Sequence, residues 1–167
     1  LLTDERNYDG EGKYASAYLY KYDRHGREVL RKQYAPDGTI YMRTTSDYDD
    51  HGNLVQEESV DAYHDLAGRA RWKYDTAGDP VEEAVYDADE TLTRRTTYRY
   101  NNRGEMTAMN NTLYGLTLRT IYKYDDKGRK TEECHYNAEN ILDTRIAFKY
   151  DERGSESEQD YFSADGK

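Results

Sequence analysis

The stretch Tyr122-Lys123-Tyr124-Asp125-Asp126-Lys127-Gly128 contains the pattern that decides the fold. The pattern is an aromatic residue, any residue, Tyr, Asp or Asn, two further residues and Gly, and it occurs six times in 167 residues. In the second copy Ser46 replaces the first aromatic residue. The second tyrosines of these copies, called the motif tyrosines below, are Tyr22, Tyr48, Tyr74, Tyr100, Tyr124 and Tyr150. Only the step from Tyr100 to Tyr124 is shorter than the others, and self-similarity at so regular a period indicates one repeat array over residues 1–167.

Each repeat unit divides into a shorter and a longer hairpin half. Tyr34, for example, lies between Tyr22 and Tyr48 and leads into a second turn sequence, Ala35-Pro36-Asp37-Gly38. Asp at the start of a turn can accept a hydrogen bond from the backbone two residues on, and Gly at its end adopts a positive φ without steric cost. Regular turns of this kind predict an all-β fold, a repetitive antiparallel meander of about twelve strands in one long, curled or coiled sheet. The predicted strands cover 14–22, 27–34, 39–48, 53–60, 69–74, 79–86, 91–100, 105–112, 116–124, 129–136, 141–150 and 155–162.

The turns also predict a strand register. If Asp23 faces Arg27 across the first turn, even-numbered residues stay on one face throughout the chain, and Tyr20 lies opposite Leu30. The even-numbered face is rich in aromatic residues and is expected to be concave, whereas the odd-numbered face is rich in Arg, Lys and Glu.

Two places depart from the period. The segment from Asp65 to Arg69 offers a second candidate turn, which would shorten the following strand. The two-residue deletion around Thr112-Leu113-Tyr114-Gly115 predicts a tighter turn.

Composition excludes several classes of protein. A net charge of −10 argues against nucleic-acid binding and against binding to anionic membranes, because both depend on clustered cations. One cysteine, Cys134, excludes an internal disulfide framework and a Cys-based metal site. No apolar run approaches the ~18 residues of a membrane helix, so no membrane insertion is expected. The start Leu1-Leu2-Thr3 without Met predicts that this is a piece of a longer protein.

The motif resembles that of the YD-repeat family, also called the RHS-repeat family, over essentially the whole chain. The resemblance rests on pieces such as Tyr22-Asp23-Arg24-His25-Gly26-Arg27, Tyr48-Asp49-Asp50-His51-Gly52-Asn53 and Tyr124-Asp125-Asp126-Lys127-Gly128-Arg129. It implies β-hairpins coiled into a sheet, in bacterial proteins that are secreted or attached to the cell surface. Some members enclose a toxin in a shell, and contact with carbohydrate or with another protein is implied as well.

Carboxylates are the first group with a possible chemical role. Glu58, Glu82 and Glu132 recur on the predicted aromatic face and could serve a glycosidase-like hydrolase, which needs two carboxylates ~5–10 Å apart in a pocket. The Asp and Asn residues that start the turns could bind a cation. However, the sequence has no twelve-residue Ca²⁺ loop with a closing Glu, so turn capping is expected instead.

Histidine and cysteine give weaker signals. His25 and His51 occupy the same turn position in successive repeats and are expected to be exposed, and His64 and His135 do not complete a metal site by spacing. Cys134 is expected to be a buried, inert thiol on the aromatic face opposite Thr120.

These observations favour a non-catalytic structural or interaction module, with no catalytic residue, cofactor or metal predicted. The first alternative is a glycan-binding module, because aromatic rings beside acids and amides suit stacking on sugars. The second alternative is part of a shell around a toxin or effector, which follows from the resemblance, and a hydrolase remains a further hypothesis. The predicted partners are carbohydrate or another protein, and the possible ligand face is Trp72, Tyr74, Tyr98, Tyr100, Tyr122 and Tyr124.

Overall fold

The computed structural model describes residues 1–8, 10–63 and 65–164, and in these residues it consists of β-strands joined by short turns. The strands are β1 (Leu2–Tyr8), β2 (Tyr14–Tyr22), β3 (Glu28–Tyr34), β4 (Ile40–Tyr48), β5 (Leu54–Asp61), β6 (Leu66–Tyr74), β7 (Pro80–Tyr86), β8 (Leu92–Tyr100), β9 (Met106–Leu113), β10 (Leu116–Tyr124), β11 (Lys130–Tyr136), β12 (Leu142–Tyr150) and β13 (Glu156–Ser163). They follow one another in chain order within the sheet, which confirms the predicted all-β meander. Strand β1 is additional to the twelve predicted strands. No helix in the described residues is long and apolar enough to cross a membrane.

Residue contacts divide the chain into two compact units, each of which is described by itself. The first unit comprises residues 1–74 and 84–93, and the second comprises residues 75–83 and the chain from residue 94 onward. In the described residues neither unit has a deep core, because the buried apolar residues there are few and mostly small. These residues are Ala84, Ala108, Cys134 and Phe148, joined by the buried polar residues Thr44, Ser46, Thr96 and Thr120.

The motif turns have the predicted geometry. In the first turn Gly26 N–H donates to the Asp23 carbonyl oxygen (3.3 Å), and Asp23 N–H donates to the carbonyl oxygen of Arg27 (2.9 Å). Gly26 has a φ of 79°, which closes a type I turn with a glycine bulge. The Asp23 carboxylate caps the turn by accepting from the backbone N–H groups of His25 (2.8 Å) and Arg27 (3.0 Å). Asp49, Asp75, Asn101, Asp125 and Asp151 cap the other five motif turns in the same way.

The predicted register is wrong by one residue beyond each bulge. Tyr22 lies opposite Glu28 as predicted, but Lys21 then lies opposite Leu30, and Tyr20 lies opposite Arg31. The bulge inserts one extra residue into the second strand, so side-chain parity switches between neighbouring strands. The predicted single even-numbered aromatic face is therefore wrong, since a face takes even residues from one strand and odd residues from the next.

Each unit consequently has two faces of different character. The motif face contains the motif tyrosines together with the other even-numbered residues of the even-numbered strands. The arginine face contains an arginine at the fourth residue of five such strands, namely Arg43 and Arg69 in the first unit and Arg95, Arg119 and Arg145 in the second. Several predicted members of the aromatic face lie on the arginine face instead, among them Leu30, Tyr34, Cys134, Tyr136 and Phe162.

The two irregular places differ in outcome. The turn before β6 forms at Asp61, whose N–H donates to the Asp65 carbonyl oxygen (2.9 Å), so the expected turn from Asp65 to Arg69 is wrong and β6 is not short. Gly68 lies inside β6, where a Cβ would come within 3.3 Å of the Tyr86 carbonyl oxygen, so a residue without a Cβ suits this position. The tighter turn near Thr112 is confirmed, with positive φ at Tyr114 and Gly115.

Replacement of Gly128 by Ala tests the turn geometry. Gly128 has a φ of 79°, and a Cβ there would meet the Glu105 carboxylate at 2.8 Å. We expect Gly128→Ala to lower the free energy of unfolding by about 1–2 kcal/mol, measured by urea denaturation. Gly12→Ala, with a φ of 77° and nothing within 4 Å, isolates the backbone strain and should cost less. Equal stability of Gly128→Ala and Gly10→Ala, the unstrained control, would contradict this description.

Candidate functional site

The motif tyrosines connect successive repeats through their hydroxyl groups. The Tyr48 hydroxyl donates to the carbonyl oxygen of Glu28 (2.8 Å), and Glu28 is the sixth residue after the preceding motif tyrosine, Tyr22. The same relation holds at every later motif. The bonds join Tyr74 to Leu54 (2.9 Å), Tyr100 to Pro80 (2.9 Å), Tyr124 to Met106 (2.8 Å) and Tyr150 to Lys130 (2.7 Å). We call this series the hydroxyl ladder.

Burial favours the protonated, hydrogen-donating form of four motif tyrosines. Desolvation by burial is the largest cause that raises the pKa of four motif tyrosines above the ordinary value, and nearby carboxylates add to it. The four are Tyr48, Tyr74, Tyr100 and Tyr124. A protonated phenol is the form that donates to a carbonyl oxygen, so the raised pKa of these four residues favours their bonds in the ladder.

Arginine reinforces the ladder at two motifs. Arg27 donates from Nε to the Asp23 carboxylate (2.7 Å), and its guanidinium carbon lies 4.7 Å from the centre of the Tyr48 ring. Arg129 repeats the arrangement with Asp125 (2.7 Å) and with the Tyr150 ring (4.6 Å). One arginine therefore links its own turn to the tyrosine of the next repeat through an ion pair and a cation–π contact.

The predicted ligand face is divided between the two units. Trp72 and Tyr74 belong to the first unit, whereas Tyr98, Tyr100, Tyr122 and Tyr124 belong to the motif face of the second. All six are half-buried. The hydroxyls of Tyr74, Tyr100 and Tyr124 are already engaged in the ladder, which leaves the rings of Trp72, Tyr98 and Tyr122 as the better candidates for stacking.

Tyr122 has a cation beside its ring. The Lys130 ammonium lies 5.8 Å from the centre of the Tyr122 ring and 4.5 Å from that of Phe148. Glu133 holds the ammonium in an ion pair and also contacts His135 Nε2 (3.1 Å). The Lys130 ammonium therefore already lies over the Tyr122 ring, which leaves Trp72 and Tyr98 as the better candidates for stacking.

A tyrosine stack in the first unit was not singled out from the sequence. Tyr18 and Tyr20 have nearly parallel rings with centroids 6.1 Å apart, and Tyr22 continues the row at 6.4 Å from Tyr20. Tyr18 lies opposite Gln33 and Tyr20 opposite Arg31, beside a cleft of about 280 Å³. The alternation of tyrosines at 18, 20 and 22 was a visible signal, but the register error placed other residues beside them.

The carboxylates of the hydrolase hypothesis do not lie where the sequence placed them. Glu58 and Glu132 lie on the arginine face, because the bulges switch parity on β5 and β11. Each of the three carboxylates is held by an arginine of the next strand, through pairs Glu58–Arg69 (2.7 Å), Glu82–Arg95 (2.7 Å) and Glu132–Arg145 (2.6 Å). Hydrogen bonds from Lys123 and Arg145 lower the pKa of Glu132, whereas a general acid needs a raised pKa.

Cys134 is buried, but its predicted neighbour is wrong. Thr120 pairs with His135 across the strands, and Cys134 pairs with Ile121. Burial, followed by the nearby Glu132 charge, raises the pKa of the Cys134 thiol, which opposes nucleophilic reactivity. His25 and His51 lie exposed in their turns, and His64 lies outside the described residues. Among the residues that the structure describes, no three His, Cys, Asp or Glu side chains are grouped to hold a metal ion.

Comparison with protein families gives one match. A family model described as "Uncharacterised protein" matches residues 65–152, more than half of the chain. The chain belongs to this family. No curated protein matches it.

Solved structures share its fold. The crystal structure of TcdB2-TccC3 without the hypervariable C-terminal region has a TM-score of 0.54 and 13% identity over 92% of this chain. The Tc holotoxin pore of Photorhabdus luminescens has a TM-score of 0.52 and 11% identity over 98% of this chain. This chain spans 10% of each of those two chains. At such identities the similarity shows a shared fold.

Removal of one ladder hydroxyl should weaken the sheet. We expect Tyr74→Phe to lower the free energy of unfolding by about 1 kcal/mol, because the hydrogen bond to the Leu54 carbonyl oxygen is lost. Urea denaturation measures the change. The matched control is Tyr63→Phe, since Tyr63 is 85% exposed and should be neutral. Equal midpoints for the two variants would contradict the assigned role.

Asp23 gives the first turn a pH dependence. Partial desolvation raises its pKa, but hydrogen bonds from the backbone and guanidinium of Arg27 outweigh this and lower the pKa to about 2. Because the folded-state value lies below the unfolded value of about 3.9, the contribution is present above about pH 4 and is lost as the pH falls towards 2. We expect Asp23→Asn to lower Tm at pH 7 and to have little effect at pH 2.

The control for this titration is Asp50→Asn, because Asp50 is exposed in the next turn and makes no side-chain hydrogen bond among the described residues. A Tm difference between Asp23→Asn and the native chain that persists unchanged from pH 7 to pH 2 would show that Arg27 does not stabilise the carboxylate.

Proposed function

We propose that the chain is a non-catalytic structural repeat module. The hydroxyl ladder carries this proposal, because the most regular residue of the sequence is used in binding the preceding repeat. Five motif tyrosines donate to backbone carbonyl groups at 2.7–2.9 Å, and the carboxylates that could have served catalysis are paired with arginines. Such a chain extends by adding hairpins, and each hairpin is stabilised by its neighbours.

We further propose that the module belongs to a bacterial protein that is secreted or attached to the cell surface. The motif resembles that of YD-repeat proteins, and the fold is similar to parts of toxin-complex structures. This chain matches one tenth of the TcdB2-TccC3 chain. We therefore propose that it is one stretch of a larger assembly, such as a shell around a toxin or effector.

Deletion of whole repeats tests the modular role. Removal of residues 49–74 joins Tyr48 directly to Asp75, so that the Tyr-Asp-x-x-Gly turn and the alternation of strand types are preserved. The proposal predicts a folded β-protein that unfolds cooperatively, measured by circular dichroism and urea denaturation. Removal of residues 49–60, the shorter half of a repeat, joins Tyr48 to the turn residue Asp61 but breaks the alternation of strand types, and it should abolish cooperative unfolding. Equal disruption by the two deletions would contradict a modular scaffold.

Glycan binding is the second candidate function. The Tyr18 and Tyr20 rings are the observation in its favour, because parallel rings beside an amide and a guanidinium suit a sugar whose C–H groups stack and whose hydroxyls accept and donate hydrogen bonds. A glycan array with the native chain, Tyr20→Ala, Trp72→Ala and Tyr98→Ala tests it. Specific binding lost in one variant would locate the site, whereas no specific binding by the folded native chain would reject this function.

A further inference from the structure

On the arginine face, an arginine side chain repeatedly lies over an aromatic ring of the neighbouring odd-numbered strand. The aromatic residue is at the end of that strand or next to it. Arg119 lies directly opposite Tyr136, and its guanidinium carbon is 4.5 Å from the centre of that ring. Arg145 lies directly opposite Phe162 in the same way, at 5.0 Å. In both cases the arginine is the fourth residue of its strand. A guanidinium over the face of an aromatic ring is a favourable cation–π contact.

The first repeat has the ring without the arginine. Tyr34 ends β3 and lies directly opposite Ala17, which is the fourth residue of β2 and so occupies the position of Arg119 and Arg145. Arg71 covers Tyr86 at 5.6 Å from the sixth position of β6, and the sixth residue of β2 is Leu19. The part of the chain that the structure describes therefore places no cation over the Tyr34 ring.

A cleft of about 490 Å³ occupies this place. Ala17 and Leu19 line it together with Tyr34, and the turn residues after Tyr34 contribute Pro36 and Asp37. Its size suits a long side chain and its neighbouring backbone, and it lies wholly within the first unit.

The opposite wall adds two more aromatic rings. Tyr8 and Tyr14 line the cleft and contact each other edge to face, with centroids 6.3 Å apart and ring planes at 76°. Tyr8 is 59% exposed, so its ring is available to a ligand. Four tyrosines in all line the cleft, namely Tyr8, Tyr14, Tyr18 and Tyr34, and the face of an aromatic ring attracts a cation.

Carboxylates supply the charge. Asp37 accepts hydrogen bonds from the Thr39 hydroxyl (2.6 Å) and backbone N–H (2.9 Å), and the former is the main cause that lowers its pKa. These hydrogen bonds therefore favour the ionised form of the Asp37 carboxylate. Asp4 is the second carboxylate in the lining, and it forms an exposed ion pair with Arg6 at 3.2 Å. Arg6 also lines the cleft and lies directly opposite Ala17, and its guanidinium is paired with Asp4 along its own strand.

We propose that this cleft binds the guanidinium group of an arginine side chain presented by a partner peptide. The ligand would take the place that Arg119 and Arg145 occupy in later repeats, with its guanidinium over Tyr34 and its charge balanced by Asp37. The net charge of −10 favours the approach of a basic peptide to this surface.

The experiment uses the full chain and a capped Gly-Arg-Gly peptide, titrated while the NMR signals of the Ala17 methyl group and the Tyr34 ring are followed. We expect saturable shifts of both, at peptide concentrations on the order of 1 to 10 mM for a single side chain. A capped peptide with citrulline, the neutral isostere, should bind at least about tenfold more weakly, because it lacks the cation. A titration with free guanidinium ion, followed by the same NMR signals, shows whether the peptide backbone contributes to the affinity.

The key variant is Ala17→Arg, which restores the residue found in the later repeats and should fill the cleft from within. We expect it to fold, to abolish peptide binding, and to show an upfield ring-current shift of the new arginine side-chain protons. That shift should disappear in Ala17→Arg combined with Tyr34→Leu. The proposal is overturned if the native chain gives no saturable shift, if citrulline binds as well as arginine, or if Ala17→Arg binds the peptide unchanged.

Discussion

The hydrogen bond from a motif tyrosine to the backbone of the preceding repeat is the interaction on which the rest of the structure depends. In a chain with few buried apolar residues, hairpins have little reason to stay together beyond the backbone bonds of the sheet. The phenol supplies both a ring that shields those bonds and a hydroxyl that satisfies a carbonyl group at a fixed place. Phe would supply the ring alone, and all six motif positions hold tyrosine.

The turns set the spacing that the ladder requires. An Asp or Asn that caps the turn and a residue with positive φ that closes it produce the same bulge at each motif, so the next tyrosine arrives at the same height on the sheet. The shorter step between Tyr100 and Tyr124 shows that turn length and the position of the motif tyrosine change together. It has a two-residue turn at Tyr114 and Gly115, and Tyr124 still reaches the carbonyl oxygen of Met106 at 2.8 Å.

The sequence was sufficient to predict strands and turns, because their signals are local. Asp23 and Gly26 specify a turn wherever they occur at this spacing, and six copies leave little freedom for the strands between them. The face of the sheet on which each side chain lies was not predictable in the same way. A bulge shifts Leu30 from opposite Tyr20 to opposite Lys21, and the resulting assignment of faces follows from hydrogen-bond geometry that no residue type announces. The cleft at Tyr34 was not predictable from the sequence either. It exists where Ala17 takes the position of Arg119 and Arg145, and this equivalence is known only from the strand register.

The most direct test of the ladder is urea unfolding of a variant in which Tyr48, Tyr74, Tyr100, Tyr124 and Tyr150 are all replaced by Phe. If the contributions add, the free energy of unfolding should fall by on the order of 5 kcal/mol, with the β-sheet spectrum of the folded state retained where the variant still folds. A matched variant with Phe at the exposed residues Tyr41, Tyr63 and Tyr114 should be nearly neutral. Equal stability of the two variants would contradict the claim that tyrosine hydroxyls hold the repeats together.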